Sequence, residues 1–323
     1  MRDELTACVN RWITLSERSD KWLCAKIGLA CARLADWRRR RGMPNTPAGN
    51  LPKSHWLSET ERKAIVVYYL AHPGDGYRRC AYMMVDEDVA YASPATVYRV
   101  LCEADAINKS DAKVSLKGTG FVQPKRPHEH WHTDISYVKV GERFYYLVCV
   151  LDGYSRYIVN WGLRESMEER DVAIVQQGAV ERYPGNKTRY ITDNGKQFTG
   201  REFRKFITYH GLTHVRISPN YPQSNGKIER FHLSIKSETL NRRALVSVEQ
   251  TNEIIREYVD HYNNKRLHSA VGYVAPLDRL EGRDTDIRKQ RDEKMSLARM
   301  IREKNRTILK ENNQQACNLD GTK

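Results

Sequence analysis

Apolar positions recur at helical spacing through the first third of the chain. Residues 20–41 read as one helix ending in Trp37-Arg38-Arg39-Arg40-Arg41. A run rich in breakers, Gly42 to Pro52, follows as a linker. Leu57 to Ala71 forms the next helix. Ser58, with Glu61 three residues on, has capping-box spacing, and His72-Pro73-Gly74 stops the helix. Residues 77–91 and 93–106 supply two more. The last opens at Ser93-Pro94, places Val97, Val100 and Leu101 on one face and turns Thr96, Tyr98 and Arg99 outward. That pattern predicts a helix-turn-helix whose last helix reads DNA. Lys109, Lys113, Lys117, Lys125 and Arg126, among glycines and prolines, form a second linker.

The pattern then changes period. Trp131 to Val140 alternates and turns at Gly141-Glu142; Phe144 to Leu151 and Tyr157 to Leu163 are dense apolar runs. Three strands with short connections predict an antiparallel meander. Helical patterns at 168–182, 200–209, 224–241 and 248–264 alternate with strand-like Arg189–Thr192 and Thr213–Ile217. The expected architecture is α/β, with a mixed five-stranded sheet and flanking helices. An all-α helix-turn-helix region precedes it and a charged helical tail follows. The expected segments are 1–50, 51–117, 118–280 and 281–323.

Composition sharpens this. A chain of 323 residues, 40% hydrophobic and 29% charged, is globular and long enough for more than one domain. Mean hydropathy is −0.70. No run approaches the roughly 18 apolar residues of a membrane helix, and the first 20 residues lack a basic start with an apolar stretch. No membrane is expected as partner; the cytoplasm, close to the nucleoid, is the expected location. Seven scattered cysteines without a C-x-x-C pair argue against a disulfide scaffold or structural zinc. Net charge is +14, spread as +5 over 1–117, +6 over 118–280 and +3 over 281–323. A polyanion such as DNA is the expected partner, touched by more than one segment.

Three carboxylates then stand out. Asp134 lies within the first strand, Asp193 ends the strand Tyr190-Ile191-Thr192, and Glu229 sits in the first turns of the helix after Pro222-Gln223-Ser224-Asn225-Gly226. Strand ends and an adjoining helix can converge at one sheet edge. An all-oxygen ligand set suits Mg²⁺ or Mn²⁺, and two such ions about 3.5–4 Å apart can drive in-line phosphoryl transfer. On that helix Ile228, Phe231 and Ile235 form a core face, and Glu229, His232 and Lys236 share a neighbouring polar stripe.

With 35 residues between Asp193 and Glu229, and Lys236 seven further on, this region resembles the D,D-35-E signature of retroviral integrases and bacterial insertion-sequence transposases. The runs Trp131-His132-Thr133-Asp134-Ile135, Leu151-Asp152-Gly153-Tyr154-Ser155-Arg156, Thr192-Asp193-Asn194-Gly195, Pro219 to His232 and Tyr262 to His268 are similar to the transposase branch. The match covers about residues 125–280. The resemblance implies an RNase H-like core. It further implies a group whose transposase is usually split over two reading frames and moves through a circular intermediate.

From the resemblance follow the expected roles. Asp134 and Asp193 would hold one ion, Asp134 and Glu229 a second. Lys236 would touch the terminal phosphodiester, with Asn225, Lys227, Arg230 and His232 beside it on DNA. Arg38 to Arg41, Thr96, Tyr98 and Arg99 would recognise terminal inverted repeats. The working species would be a DNA-bound oligomer engaging element ends and target, with an upstream-frame protein as a further partner. The zinc module that opens retroviral integrases has no matching cysteine pair here, and residues 59–115 resemble the helix-turn-helix region of the transposases instead.

Plainer readings stand beside these. Arg38 to Arg41 also suit the negative end of a helix dipole. Asp152 before Gly153 reads as a turn cap. His128, His130 and His132 lack a fourth metal ligand. Tyr262, Asn263, Arg266 and His268 fit packing as well as DNA contact. Leu297, Ile301 and Ile308 form a sparse stripe interrupted by Lys304, compatible with a short coiled coil, a solvated helix or an arm laid on DNA. Two other functions share the fold: a nuclease that cuts without joining, and a non-catalytic DNA-binding regulator.

Overall fold

A computed structural model describes residues 2–42, 56–107, 123–216 and 225–320. The two linkers, apart from their edges, and most of the Pro219–Asn225 run lie outside the described residues. Two compact units are present, Met1–Ser54 with Lys304–Lys323, and His55–Glu303.

In the first unit, α1 (Arg2–Ser16), α2 (Asp20–Ile27) and α3 (Cys31–Arg39) pack around Val9, Cys24 and Leu34. The single helix expected over 20–41 is therefore two. Gly28 adopts the left-handed conformation at φ 69°, and its N–H caps the Cys24 carbonyl. Glycine reaches that conformation without the Cβ penalty, so it ends α2 there.

The second unit begins with α4 (Glu59–Ala71), α5 (Tyr77–Asp86) and α6 (Pro94–Glu103). Both halves of the Ser58/Glu61 capping box form, and the Ser93 side chain caps α6 with Pro94 in its first turn. Ile65, Cys80, Met84, Val97 and Leu101 fill their small core.

Five strands follow in the spatial order β3-β2-β1-β4-β5: β1 (His130–Val140), β2 (Arg143–Asp152), β3 (Ile158–Arg164), β4 (Arg189–Thr192) and β5 (Thr213–Arg216). The expected meander is antiparallel, and β4 and β5 add in parallel on the other side of β1. The strand period of two divides the sheet into two faces. Val138 and Val140 of β1 pack with Ile228, Phe231 and Ile235 of α10 (Gly226–Glu238) and Ile255 and Tyr262 of α11 (Val248–Asn264). Trp131 and Tyr190 pack with Val172 and Val175 of α7 (Glu169–Arg182). Phe198 of α8 (Lys196–Thr199) and Phe203 of α9 (Arg201–Tyr209) complete that second core. The sheet is thus covered on both sides, with β1 at its centre.

The short α12 (Pro276–Leu280) leads into α13 (Asp284–Asp320). The part of α13 within this unit is docked rather than solvated. Arg291 holds Asp86 through two bonds of 2.7 and 2.6 Å, and Lys294 Nζ donates to the Val85 carbonyl at 3.1 Å. Arg302 reaches both Glu61, at 2.5 Å, and the Tyr91 carbonyl, at 2.8 Å. The tail expected to be separate therefore clasps the three-helix region. No helix among the described residues is long and apolar enough to cross a membrane.

Candidate nucleic-acid processing site

Asp134 is the fifth residue of β1 and lies opposite Cys149 of β2. Its position in the alternation places it on the α10 face. In the parallel pairing of β1 with β4, His130 matches Arg189 and His132 matches Ile191. The same offset carried two residues further sets Asp134 level with Asp193, one strand spacing of about 4.8 Å away in backbone terms. Asp193 follows the last residue of β4, and its Oδ1 accepts the Gly195 N–H at 3.0 Å, a turn that fixes the carboxylate at the strand end.

α10 crosses this face. Burial of Ile228, Phe231 and Ile235 fixes the rotation of the helix, which turns Glu229, His232 and Lys236 toward β1. His232 is buried, with Nε2 3.9 Å from Asp134 Oδ2. Burial pushes its pKa down to about 3, assisted by the Lys236 charge, so the ring is neutral. Glu229 itself is exposed. Burial raises the Asp134 carboxyl to about 6, the Ile135 N–H opposes this, and the charges of Asp193 and Glu229 add to the rise while Lys236 lowers it. The three carboxylates and the lysine therefore lie in one electrostatic field. Among the described residues no three His, Cys, Asp or Glu side chains are gathered tightly enough to form an ion cage. A set of like charges has no internal reason to close without a cation.

The other sequence candidates are dispersed. Lys227 Nζ donates to the Gly153 carbonyl at 3.0 Å, and burial, then the Arg156 charge, push its pKa down to about 7. Asn225 is buried, and Arg230 is exposed on α10. On α6, Arg99 is exposed. Thr96 and Tyr98 are half exposed, so Arg99 reaches furthest from the helix. The reason is local: Thr96 Oγ1 lies 3.0 Å from Ser93 Oγ in the cap, and the Tyr98 ring packs 5.1 Å from Tyr77. Arg38 is committed to its own unit, bonding Asp20 at 2.5 Å and Asn10 at 2.9 Å. Arg39 and Arg40 pair with Asp36, and Arg41 is exposed. Asp152 accepts from the His128 and Ser155 backbone N–H groups and from the Ser155 hydroxyl. Asn263 bonds both the N–H and the carbonyl of Ile158, and Arg266 pairs with Glu238. His128 accepts from the Trp131 indole at 3.1 Å.

Arg156 closes the Leu151–Arg156 run but has no predicted role of its own. It is held in the left-handed region at φ 71°, on the tight turn between β2 and β3, and bonds the Gly153 carbonyl. An arginine after Asp-Gly-Tyr-Ser carries no signal of that conformation.

A mixed sheet ordered β3-β2-β1-β4-β5, with acidic residues on its two central neighbouring strands and the crossing helix, is the RNase H-like arrangement. Two integrase core domain models match, over residues 124–222 and 210–276. The transposase for insertion sequence IS904 of Lactococcus lactis is 29% identical over 156 residues, 47% of this chain and 61% of that protein. The transposase for IS629 of Shigella sonnei is 21% identical over 267 residues, 79% of this chain and 89% of that protein. The HTLV-2 integrase catalytic core domain, solved in complex with magnesium, is 18% identical and covers 48% of this chain and 97% of that one at a TM-score of 0.40. Residues 124–276 thus match the integrase core domain, and the chain is similar to bacterial insertion-sequence transposases. It spans less than two thirds of the length of some of these relatives, 60% of an IS476 protein and 61% of the IS904 transposase.

Proposed function

We propose that this protein is a DNA transposase that cuts at the ends of a mobile element and joins them to target DNA. The observation that carries the reading is the β1–β4 register with the rotation of α10, which bring Asp134, Asp193 and Glu229 into one field with Lys236. An all-carboxylate donor set fits a hard divalent cation, Mg²⁺ or Mn²⁺. Asp134 with Asp193, and Asp134 with Glu229, would hold two such ions. When bound, these would activate the attacking oxygen and neutralise the charge on the leaving one.

The chain's own groups do the remainder. Lys236 lies on the same stripe as Glu229, two turns along, and would hold a phosphate oxygen. Buried, neutral His232 packs against Asp134 and keeps water from its inner side. In the first step water attacks the phosphorus and the bond to the 3′ oxygen breaks, leaving a 3′-hydroxyl and a 5′-phosphate. In the second that hydroxyl attacks a target phosphodiester, one P–O bond forming as another breaks and a target 3′-hydroxyl leaving. No protein nucleophile takes part. The α4–α6 region with exposed Arg99 would supply recognition of the terminal inverted repeats, exposed Arg230 on α10 would meet the DNA beside the carboxylates, and an oligomer on DNA would bring two ends to one target.

The test is a labelled element-end duplex incubated with the protein, Mg²⁺ and a target plasmid. Joined product is expected. Cut ends without joining would make the protein a nuclease, and a gel shift without cutting would make it a regulator.

A further inference from the structure

A second basic feature lies beside the catalytic face. A cavity of 680 Å³ is lined by Tyr82 of α5, by Gly153, Tyr154 and Arg156 of the β2–β3 turn, by residues 270–272, and by Arg279, Arg288 and Arg291. Four arginines and one carboxylate, Asp292, are on its wall. Three of them are steadied from behind by carboxylates: Arg279 and Arg288 share the nearly buried Asp284, and Arg291 holds Asp86. Arg279 also lies 4.2 Å over the Tyr154 ring. These bonds remove rotamer freedom and leave the remaining N–H donors aimed by a fixed frame.

Arg156 is different. Among the described residues no ion pair joins it to a carboxylate, the Asp152 charge acting on it only through space, and its bond is to the Gly153 carbonyl, which also accepts from Lys227. Two basic side chains thus share one neutral oxygen as acceptor. The turn that presents Arg156 is tightly built: a Cβ at Gly153 would lie 2.9 Å from His132 Nε2 and 3.1 Å from the His130 carbonyl. Backbone at φ 71° is costly for arginine, so the fold spends stability to keep this guanidinium on the cavity wall. A half-buried positive charge with no carboxylate in direct contact is satisfied by an anion from outside.

We infer that this cleft binds a backbone phosphate of duplex DNA, at a site separate from the carboxylate set, with Arg156 as its principal contact. Gly153 follows the residue paired with Trp131, three positions before Asp134, so the cleft sits about 10 Å along the strand from the carboxylate. A duplex crossing the catalytic face would reach it. Choosing DNA over free phosphate rests on the transposase reading.

The test measures binding of a random-sequence duplex to the full-length protein across a KCl series. Arg156→Asn removes the charge and keeps a residue that tolerates the left-handed conformation; Arg170→Gln, at an exposed position on α7, is the control. Losing one phosphate contact lowers the slope of log K against log salt by about 0.9. The expected result is that drop for Arg156→Asn, no change for Arg170→Gln, and restoration by Arg156→Lys. An unchanged slope and affinity for Arg156→Asn, with wild type binding duplex, overturns the inference and leaves the transposase reading standing. Wild type that binds no duplex overturns both. Should Arg156→Asn fail to fold, the wild-type protein is labelled with phenylglyoxal and Arg156 is followed by mass spectrometry. Protection by duplex supports the site and absence of protection refutes it. Equal protection by inorganic phosphate at matched ionic strength refutes the choice of DNA.

Discussion

Replacing Asn263 by alanine removes a clamp between α11 and the start of β3. Its Oδ1 accepts the Ile158 N–H at 2.8 Å and its Nδ2 donates to the Ile158 carbonyl at 3.1 Å. Ile158 is 1% exposed and Asn263 5% exposed, so water does not readily replace either bond. The alanine variant strands one buried donor and one buried acceptor, each costing about 1–3 kcal/mol. The expected loss is about 2–6 kcal/mol, the lower end applying if the site relaxes and admits water. Urea unfolding followed by tryptophan fluorescence reads the loss, and hydrogen exchange at Ile158 reads it locally. Asn263→Asp supplies a sign test. It keeps an acceptor but sets a buried carboxylate against a carbonyl, so its folded pKa is raised. Protonation then restores a donor, and this variant gains stability relative to wild type as pH falls toward the unfolded value of about 4. A loss below about 0.5 kcal/mol for Asn263→Ala, or protection at Ile158 that does not change, refutes the clamp.

Three further outcomes are expected. Asp134→Asn, Asp193→Asn and Glu229→Gln each abolish cutting and joining while duplex binding in a gel shift persists; more than a few per cent residual product from any one removes that residue from the site. Glu238 is hydrogen-bonded by Arg266 and Tyr258, and these hold its carboxyl below the usual range despite burial. Its contribution is therefore complete above about pH 4 and is lost as pH falls through the folded pKa, so Glu238→Gln is less stable than wild type at pH 7 and the gap narrows in acid, as urea midpoints across pH will show. Glu61→Ala loses both the α4 cap and the Arg302 contact, an expected cost of about 1–2 kcal/mol. It should also speed protease cleavage around α4, and an unchanged digestion pattern counts against the clasp.

Much of the sheet was legible because its signals are local. Alternation in β1, the turn at Gly141 and the apolar run of β2 set up the meander without long-range information. The capping box at Ser58 and the proline at 94 likewise fix where two helices begin. Asp134, Asp193 and Glu229 stood out through their joint spacing, whereas each alone reads as a turn or helix-start charge. Interactions distant in sequence were hidden. Nothing near Arg291 or Arg302 shows that their partners are Asp86 and Glu61, so the tail looked solvated. Arg38 looked like a DNA-contacting residue because its partner Asp20 lies in a separate helix once Gly28 breaks the chain. Arg156 stands in a legible run, yet its strained backbone is hidden because a left-handed arginine has no mark in composition or period.

The clasp of α13 also orders events in time. Asp86 and Arg291 are 205 residues apart, and at about 5–20 residues per second the ribosome needs about 10–40 s to make the second after the first. The α4–α6 helices can fold on their own small core well before that. Throughout the interval the nascent chain presents them with Glu61, Asp86 and the Tyr91 carbonyl uncovered, and arrest of translation before residue 284 would trap that state. Synthesis thus produces an unclasped form of this region before the clasped one.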